Sequence, residues 1–198
     1  MDDDPIEFRG TGAGKEFEGL VLHRLKQEGE RGLCSVGRYG VQAAVKNRQE
    51  NGDVVAQLMR SLPDIEGVLP PSASQFVFDC KVMSGASFNL SDYRSATRGA
   101  KRRQLTHMYD RQRMGACCFF LIHMNPREMK TKTEYSRTVA LPVCDNNLWE
   151  GFEAGEWTTL SRSRIAECGY TVVWNASSRE RTLRPDVLGT IRRMREDM

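Results

Sequence analysis

The sequence predicts an α/β fold in which helices cover both faces of a central mixed β-sheet. Residues 15–28 carry apolar side chains at mostly helical spacing. Two runs, 76–78 (FVF) and 117–122 (CCFFLI), are apolar on both sides of an extended chain, as in strands that are covered on both faces. The resulting order of helix, strands, helix and strand is typical of a sheet between two helical layers. A chain of 198 residues can bury one sizeable core, so we expect a single domain.

Composition and charge favour a globular protein: 39% of the residues are hydrophobic and 28% are charged. The apolar runs are too short to cross a bilayer, and the acidic start is unlike a secretory signal. We therefore expect no membrane partner and a cytoplasmic, nucleoid-associated location. The six cysteines show no CxxC pair and no zinc-finger spacing with histidine, which predicts reduced and mostly buried thiols.

The first part of the chain divides into an arm, a helix and a hairpin. Residues 1–13 are acidic and then Gly-rich, which predicts a flexible N-terminal arm before a single domain over 14–198. Residues 46–61 are polar and then helix-compatible, and the segment 40–61 is a candidate stalk-like protrusion. Gly67 is expected to permit the turn of a hairpin whose second strand covers 75–83.

The second part begins with a basic segment. Residues 101–103 (KRR) are predicted to form a loop that leads into a helix containing Gln104. The run 116–124 is then a second central strand. Further elements are predicted as a strand at 135–143, a helical turn at 148–152, a helix at 161–167 capped by Ser161, an edge strand at 170–174 and a terminal helix at 185–198.

Two acids and a lysine form the candidate site. Asp79 and Lys81 are two residues apart in a predicted strand, so their side chains share one face while Cys80 points to the other. Asp64, before the preceding strand, is free to join them. Two carboxylates beside a cation suit a divalent metal with oxygen ligands and a lysine that positions or deprotonates water.

Each of these residues also has a structural interpretation. Asp64 would then be a turn former, Asp79 and Lys81 an ion pair, and Gln104 a residue of a helix surface. On local grounds Glu18 is a solvent-facing helix acid. His107 is more often packed or hydrogen-bonded at such a position than catalytic.

The spacing of Pro63 and Asp64, fourteen intervening residues and then Asp79-x-Lys81 resembles the core motif of the PD-(D/E)xK nuclease superfamily. A fuller resemblance is to the RecU-type Holliday-junction resolvases, and it covers residues 14–195. Residues 14–18 (GKEFE) resemble that family's Gly-x-x-Phe-Glu helix start, 63–67 (PDIEG) its Thr-Asp-Tyr-Asn-Gly turn, 78–81 (FDCK) its Phe-Glu-Ala-Lys, and 104–108 (QLTHM) its His-Gln-Ile-x-His-Met helix.

The sequence departs from that family in two places that bear on function. Asp79 stands where the family commonly has Glu, which keeps the charge on a shorter side chain. Residues 40–61 occupy the position of the family's stalk without its Pro-rich, basic composition. The resemblance therefore implies phosphodiester cleavage more directly than it implies recognition of a four-way junction.

The resemblance implies a restriction-endonuclease-like core and a Mg²⁺-dependent endonuclease that resolves Holliday junctions by paired symmetrical nicks in recombination and repair. Asp64, Asp79 and the backbone carbonyl of Cys80 would hold Mg²⁺ (or Mn²⁺), with Glu18 joining directly or through water. Lys81 would orient or deprotonate the attacking water, and Gln104 would contact that water or the scissile phosphate. The basic residues implied to hold branched double-stranded DNA are Arg98, Lys101, Arg102 and Arg103.

Two symmetrical nicks need two active sites, so the resemblance also implies a homodimer with twofold symmetry. Two other functions stay open at this stage. One is a restriction-like or flap nuclease of the same superfamily. The other is a DNA-binding or protein-interaction module that keeps the fold without catalysis.

Overall fold

A computed structural model describes residues 6–38, 42–48, 54–59, 63–94, 99–129, 131, 133–143, 147–176 and 183–197. Its elements, in chain order, are α1 (Ala13–Glu30), β1 (Ser35–Arg38), β2 (Gln42–Arg48), β3 (Val54–Met59), β4 (Ile65–Leu69), β5 (Ser74–Met83), β6 (Ser87–Asn89), α2 (Ser91–Arg94), α3 (Gly99–Arg113), β7 (Cys117–Met124), β8 (Arg127–Glu128), β9 (Thr133–Glu134), β10 (Arg137–Pro142), α4 (Asn147–Ala154), β11 (Thr159–Ser161), α5 (Arg162–Cys168), β12 (Tyr170–Thr171), β13 (Trp174–Ala176), β14 (Leu183–Pro185) and α6 (Val187–Glu196).

The central sheet is mixed, as the sequence predicts. Its described strands run in the order β1-β4-β5-β7-β10-β12. The β5–β7 pair is parallel, and the other neighbours are antiparallel. The elements α1, β1, β4, β5, α3 and β7 follow one another along the chain in this part of the fold, and β10 and β12 extend the sheet beyond β7. The α/β fold class is therefore confirmed.

Helices cover both faces of this sheet because β5 and β7 present apolar side chains on both sides. On one face, α1 and α6 pack against the strands through buried residues that include Phe17, Val21, Phe78, Phe119 and Ile191. On the other face, α2 to α5 pack through buried residues that include Tyr93, Leu105, Phe120, Trp149 and Ile165. Two apolar layers thus enclose the strands that carry the candidate site.

Several sequence-predicted elements are confirmed within a few residues. The first helix, the strand at 116–124 and the short helix after Ser161 are all present. The Ser161 side chain accepts a hydrogen bond from the backbone N–H of Arg164, which is the expected N-cap. The strand predicted at 170–174 is shorter, because β12 covers Tyr170–Thr171, but it lies at the sheet edge as expected.

The prediction of a flexible arm over residues 1–13 is wrong where those residues are described. Phe8 is 4% exposed and belongs to the buried cluster under α1. Its backbone N–H donates to Asn125 Oδ1 at 3.0 Å, and Asn125 Nδ2 donates back to the Phe8 carbonyl at 2.6 Å. An aromatic side chain and a reciprocal amide pair thus anchor this segment beside the end of β7. Residues 1–5 lie outside the described part of the chain.

Gly67 has a different role from the predicted turn former. It lies inside β4, opposite Phe76, and the turn follows at residues 70–73. A Cβ atom on Gly67 would collide with the Phe76 ring and with the Ser35 carbonyl oxygen. Glycine is needed here because the neighbouring strands approach closely. Turn propensity does not predict such a close approach.

Two other local predictions are also wrong. Residues 54–59, predicted as helix-compatible, form strand β3, which pairs antiparallel with β2. Residues 101–103 lie within α3 rather than in a loop, because the helix already begins at Gly99. Whether the β2–β3 ribbon within 40–61 serves as a stalk stays a prediction.

The cysteine thiols and the helices bear on the predictions made from composition. Of the cysteines in the described residues, Cys34, Cys80, Cys117 and Cys118 are buried free thiols and Cys168 is a half-buried one. Cys144 lies outside the described residues. None of the helices described has both the length and the apolar character needed to cross a membrane.

Candidate active site

Asp64 and Asp79 meet where β4 begins. Ile65 is the first residue of β4 and stands opposite Phe78 of β5, so Asp64 comes opposite Asp79 in the same register. The Asp64 carboxylate accepts a hydrogen bond from the backbone N–H of Cys80 at 2.8 Å. The register of one antiparallel hairpin therefore brings two acids together that are fifteen positions apart in sequence.

Asp79 is fully buried and surrounded by donors. Gln104 Nε2 of α3 donates to its Oδ1 at 2.6 Å. Lys81 Nζ forms an ion pair with Oδ2, as expected for residues two apart on one strand face. The Tyr93 hydroxyl of α2 also donates to Oδ2, at 3.4 Å. The structure thus joins Asp64, Asp79, Lys81 and Gln104 in one site.

The pKa values in the site are set by two neighbouring acids that are largely removed from water. Burial raises the pKa of Asp64 to about 8, helped by the charge of Asp79 and a hydrogen bond with it. Burial alone would discharge Lys81, but the negative charge of Asp79 and neighbouring groups outweighs it and raises the pKa of Lys81. The environment of Lys81 therefore favours its protonated form.

Glu18 lies at the rim of this group. Its Oε1 pairs with Arg38 Nε at 3.0 Å, and Arg38 at the end of β1 stands opposite Ile65. Glu18 also raises the pKa of the buried Cys80 thiol, although burial itself and Asp64 contribute more. Across the described residues, no three His, Cys, Asp or Glu side chains are grouped to hold one ion. Direct metal binding by Glu18 stays a prediction.

Three of the predicted DNA-binding residues lie on α3, and they differ in their surroundings. Lys101 Nζ pairs with Asp92 at 2.9 Å and lies one helical turn before Gln104, on the side of the site. Arg102 instead pairs with Glu153 of α4 at 2.8 Å, away from Asp79. Arg103 is exposed, and Arg98 lies outside the described residues.

The sequence singles out His107 but not Tyr93. His107 lies on α3 one turn after Gln104 and is half-buried; burial and the nearby Arg111 lower its pKa. Tyr93 is a member of the site that the sequence reading missed. The only signal is its position on a short helix after β6, because the contact with Asp79 comes from tertiary packing.

The residues present fit a divalent cation with oxygen ligands. Two acidic side chains lie together at this point, and burial together with the charge of Asp79 raises the pKa of Asp64 despite the nearby Lys81. Cys80 lies beyond the end of the β4–β5 pairing and adds a backbone carbonyl at the same edge. Such oxygen donors are the ligands that Mg²⁺ and Mn²⁺ prefer.

Comparison with known proteins yields structural matches but no sequence match. No protein-family model and no curated protein sequence matches the chain. A solved structure of Archaeoglobus fulgidus Hjc, a Holliday junction resolvase from an archaeal hyperthermophile, matches with a TM-score of 0.40 and 14% identity, over 80% of this chain and 95% of that chain. A likeness of this degree says nothing about the substrate of this chain.

Proposed function

We propose that the chain is a metal-dependent DNA endonuclease that hydrolyses phosphodiester bonds. The observation that carries this proposal is the meeting of Asp64 and Asp79 at one strand register, with Lys81 and Gln104 on the Asp79 carboxylate. A structural ion pair would need only Asp79 and Lys81. It would give no reason for a second, half-buried acid whose pKa is raised to about 8.

Asp64, Asp79 and the Cys80 carbonyl would hold one Mg²⁺ or Mn²⁺, and the ion would supply a Lewis acid that offsets charge developing on the phosphate. The other groups act as fixed donors. Despite its burial, Lys81 has a pKa that is raised by the negative charge of Asp79, and we propose that Lys81 acts as a cation that orients a water or stabilises an anionic oxygen. Gln104, held at 8% exposure, fixes the Asp79 carboxylate through Oδ1.

Basic residues beside the site would hold the DNA backbone. Lys101 lies on the same side of α3 as Gln104 and has a side chain that is 48% exposed. Arg103 is exposed one position before Gln104. Contacts of this kind neutralise phosphates and release counterions, so binding should weaken steeply as the salt concentration rises.

The substrate that we propose is a four-way DNA junction, as the resemblance of the four sequence motifs to the RecU-type resolvases implies. Resolution of a junction requires two nicks at symmetrical positions, and we therefore propose a homodimer with one active site in each subunit. Because the proposed substrate is a junction in chromosomal DNA, we propose a cytoplasmic, nucleoid-associated location. We also propose that the β2–β3 ribbon, which occupies the sequence position of that family's stalk, enters the junction.

A cleavage panel tests this proposal. The protein is incubated with an end-labelled four-way junction, a flap and a linear duplex of matched sequence, each with Mg²⁺ or with a chelator. Paired symmetrical nicks in the junction alone, and only with Mg²⁺, are expected. Preferential cutting of the flap or the duplex would replace the junction with a restriction-like or flap activity. Salt-sensitive binding without any cutting would leave a DNA-binding module and contradict catalysis.

A further inference from the structure

Tyr93 of α2 is buried directly against the candidate catalytic pair. It is 1% exposed, and its hydroxyl donates to Asp79 Oδ2 at 3.4 Å. Lys81 contacts the same oxygen, whereas Gln104 takes the other one. These three donors to Asp79 come from three different elements: β5, α2 and α3.

The position of the Tyr93 ring is fixed from two sides. Phe120 of β7 pairs in register with Asp79, and its ring meets the Tyr93 ring edge-on, with centroids 5.4 Å apart at 85°. The backbone N–H of Tyr93 donates to the Leu90 carbonyl at 2.9 Å, and the Leu90 N–H donates to the Thr158 carbonyl at 2.8 Å. Leu90 immediately precedes α2 and is fully buried. It therefore anchors the start of this short helix, and with it Tyr93, to the core.

The outer side of the ring faces the basic helix. Lys101 Nζ lies 5.6 Å from the Tyr93 ring centroid, within reach of a cation–π attraction. Lys101 also pairs with Asp92, the residue next to Tyr93. The tyrosine thus stands between a lysine proposed to meet DNA and the carboxylate proposed to meet the metal.

We propose that Tyr93 is a positioning residue whose hydroxyl fixes the orientation of the Asp79 carboxylate and of the Lys81 ammonium. This inference rests on the proposed nuclease function. A buried tyrosine hydroxyl is costly unless it is hydrogen-bonded, so its placement on Asp79 is maintained by the same packing that buries the ring. With donors on both oxygens, the carboxylate cannot rotate freely, and Lys81 is held beside the oxygen that it shares with Tyr93.

The variant Tyr93→Phe removes the hydroxyl and keeps the ring. A matched control is Tyr109→Phe on α3, whose ring packs against Trp149 in the same apolar layer but outside the site. Groups that orient metal ligands typically change metal affinity or activity by about tenfold or more. Tyr93→Phe should therefore lower kcat about tenfold and weaken Mn²⁺ binding in calorimetry about tenfold, with KM for DNA unchanged. Tyr109→Phe should match the wild type in all three.

Circular dichroism and thermal unfolding first establish that both variants fold. If wild-type protein binds Mn²⁺ and cuts DNA but Tyr93→Phe has unchanged Mn²⁺ affinity or unchanged kcat, the positioning role is wrong and the nuclease proposal stands. If wild-type protein neither binds Mn²⁺ nor cuts any DNA, the nuclease proposal fails and the role of Tyr93 fails with it.

Discussion

Asp64 accepts a hydrogen bond from the backbone N–H of Cys80 at 2.8 Å. Pairing of β4 with β5 ends at Ile65 and Phe78, two residues before Cys80, so the Asp64 side chain takes the N–H that a longer strand would have bonded. In an extended strand, the N–H and C=O of one residue point to the same side. The Cys80 carbonyl therefore also faces the Asp64 side, where it would lie as the backbone ligand that the family resemblance implies.

Replacement of Asp64 by asparagine should stabilise the metal-free protein near pH 8. The pKa of Asp64 is raised from 3.8 to about 8 by burial and by Asp79. A folded-state pKa above the unfolded one gives a stabilising contribution that is complete below about pH 4 and is lost as the pH rises to about 8. Wild-type unfolding free energy should therefore fall, relative to Asp64→Asn, by up to about 1.4 kcal/mol per pH unit in that window.

Urea denaturation with a chelator at several pH values measures this difference. Asp110→Asn is the matched control, because Asp110 is an exposed acid on α3. Its curve should run parallel to the wild type. Parallel curves for Asp64→Asn as well would show that Asp64 is not protonated in the folded state.

Substitutions of Lys81 should distinguish a cation from a base. Despite its burial, Lys81 has a pKa that is raised by the negative charge of Asp79, so we expect the positive charge of Lys81 to be the property that matters. Lys81→Met should lower kcat by about a hundredfold or more, and Lys81→Arg should retain more activity because the guanidinium keeps the charge. Single-turnover cleavage measures both, with Lys26→Met, an exposed α1 lysine, as control. Equal loss in the Arg and Met variants would instead support a role as general base.

Much of this site can be predicted from sequence because its members are fixed by short-range geometry. The i and i+2 relationship along one strand places Lys81 beside Asp79, and a hairpin brings Asp64 to the same level. Tyr93 and Arg38 escape such reasoning. Their contacts with Asp79 and Glu18 depend on how α2 and β1 pack against the sheet, which no local spacing encodes.

Acidification should destabilise the protein through His123. This histidine is 1% exposed; its Nδ1 is 2.8 Å from Thr138 Oγ1 and its Nε2 is 3.1 Å from the Ile6 carbonyl. Burial lowers the pKa of His123 from 6.5 to about 4, although the Ile6 carbonyl opposes the shift. Its contribution is therefore complete above pH 6.5 and is lost as the pH falls to about 4.

Relative to His123→Gln, wild-type unfolding free energy should decrease by up to about 1.4 kcal/mol per pH unit between pH 6.5 and 4. Denaturant unfolding at pH 4, 5 and 7 measures this decrease. His23→Gln, on the exposed side of α1, should leave the pH dependence unchanged. A constant difference between His123→Gln and wild type would contradict a neutral, buried His123.

Phe8→Ala should destabilise the fold although Phe8 lies in a segment with the composition of a free arm. The ring packs against Phe17 at 5.2 Å and His123 at 4.9 Å between centroids. Loss of a buried phenylalanine costs about 3–5 kcal/mol, which urea denaturation can measure. Leu33→Ala, at a residue that is 38% exposed, is the control. A cost for Phe8→Ala as small as that of the control would mean that the arm is free in solution.

The fold is predictable where apolar periodicity is strong. It is less predictable where tertiary packing decides the role of a single residue. Strands β5 and β7 have unambiguous apolar runs, and α1 has a clear helical stripe. Phe8 and Gly67 depart from the prediction because a Gly-rich composition and a turn propensity are local properties. Their positions are decided instead by Asn125 at the end of β7 and by the Phe76 ring of the neighbouring strand.

The most direct test of the central claim is single-turnover cleavage of a labelled four-way junction by wild-type protein and Asp79→Asn. We expect paired nicks from the wild type with Mg²⁺ and none with a chelator. Asp79→Asn should bind the junction with the same salt dependence but cut it at least about a hundredfold more slowly, while Asp110→Asn cuts normally. Cutting by Asp79→Asn at the wild-type rate would contradict a catalytic site built on Asp64 and Asp79.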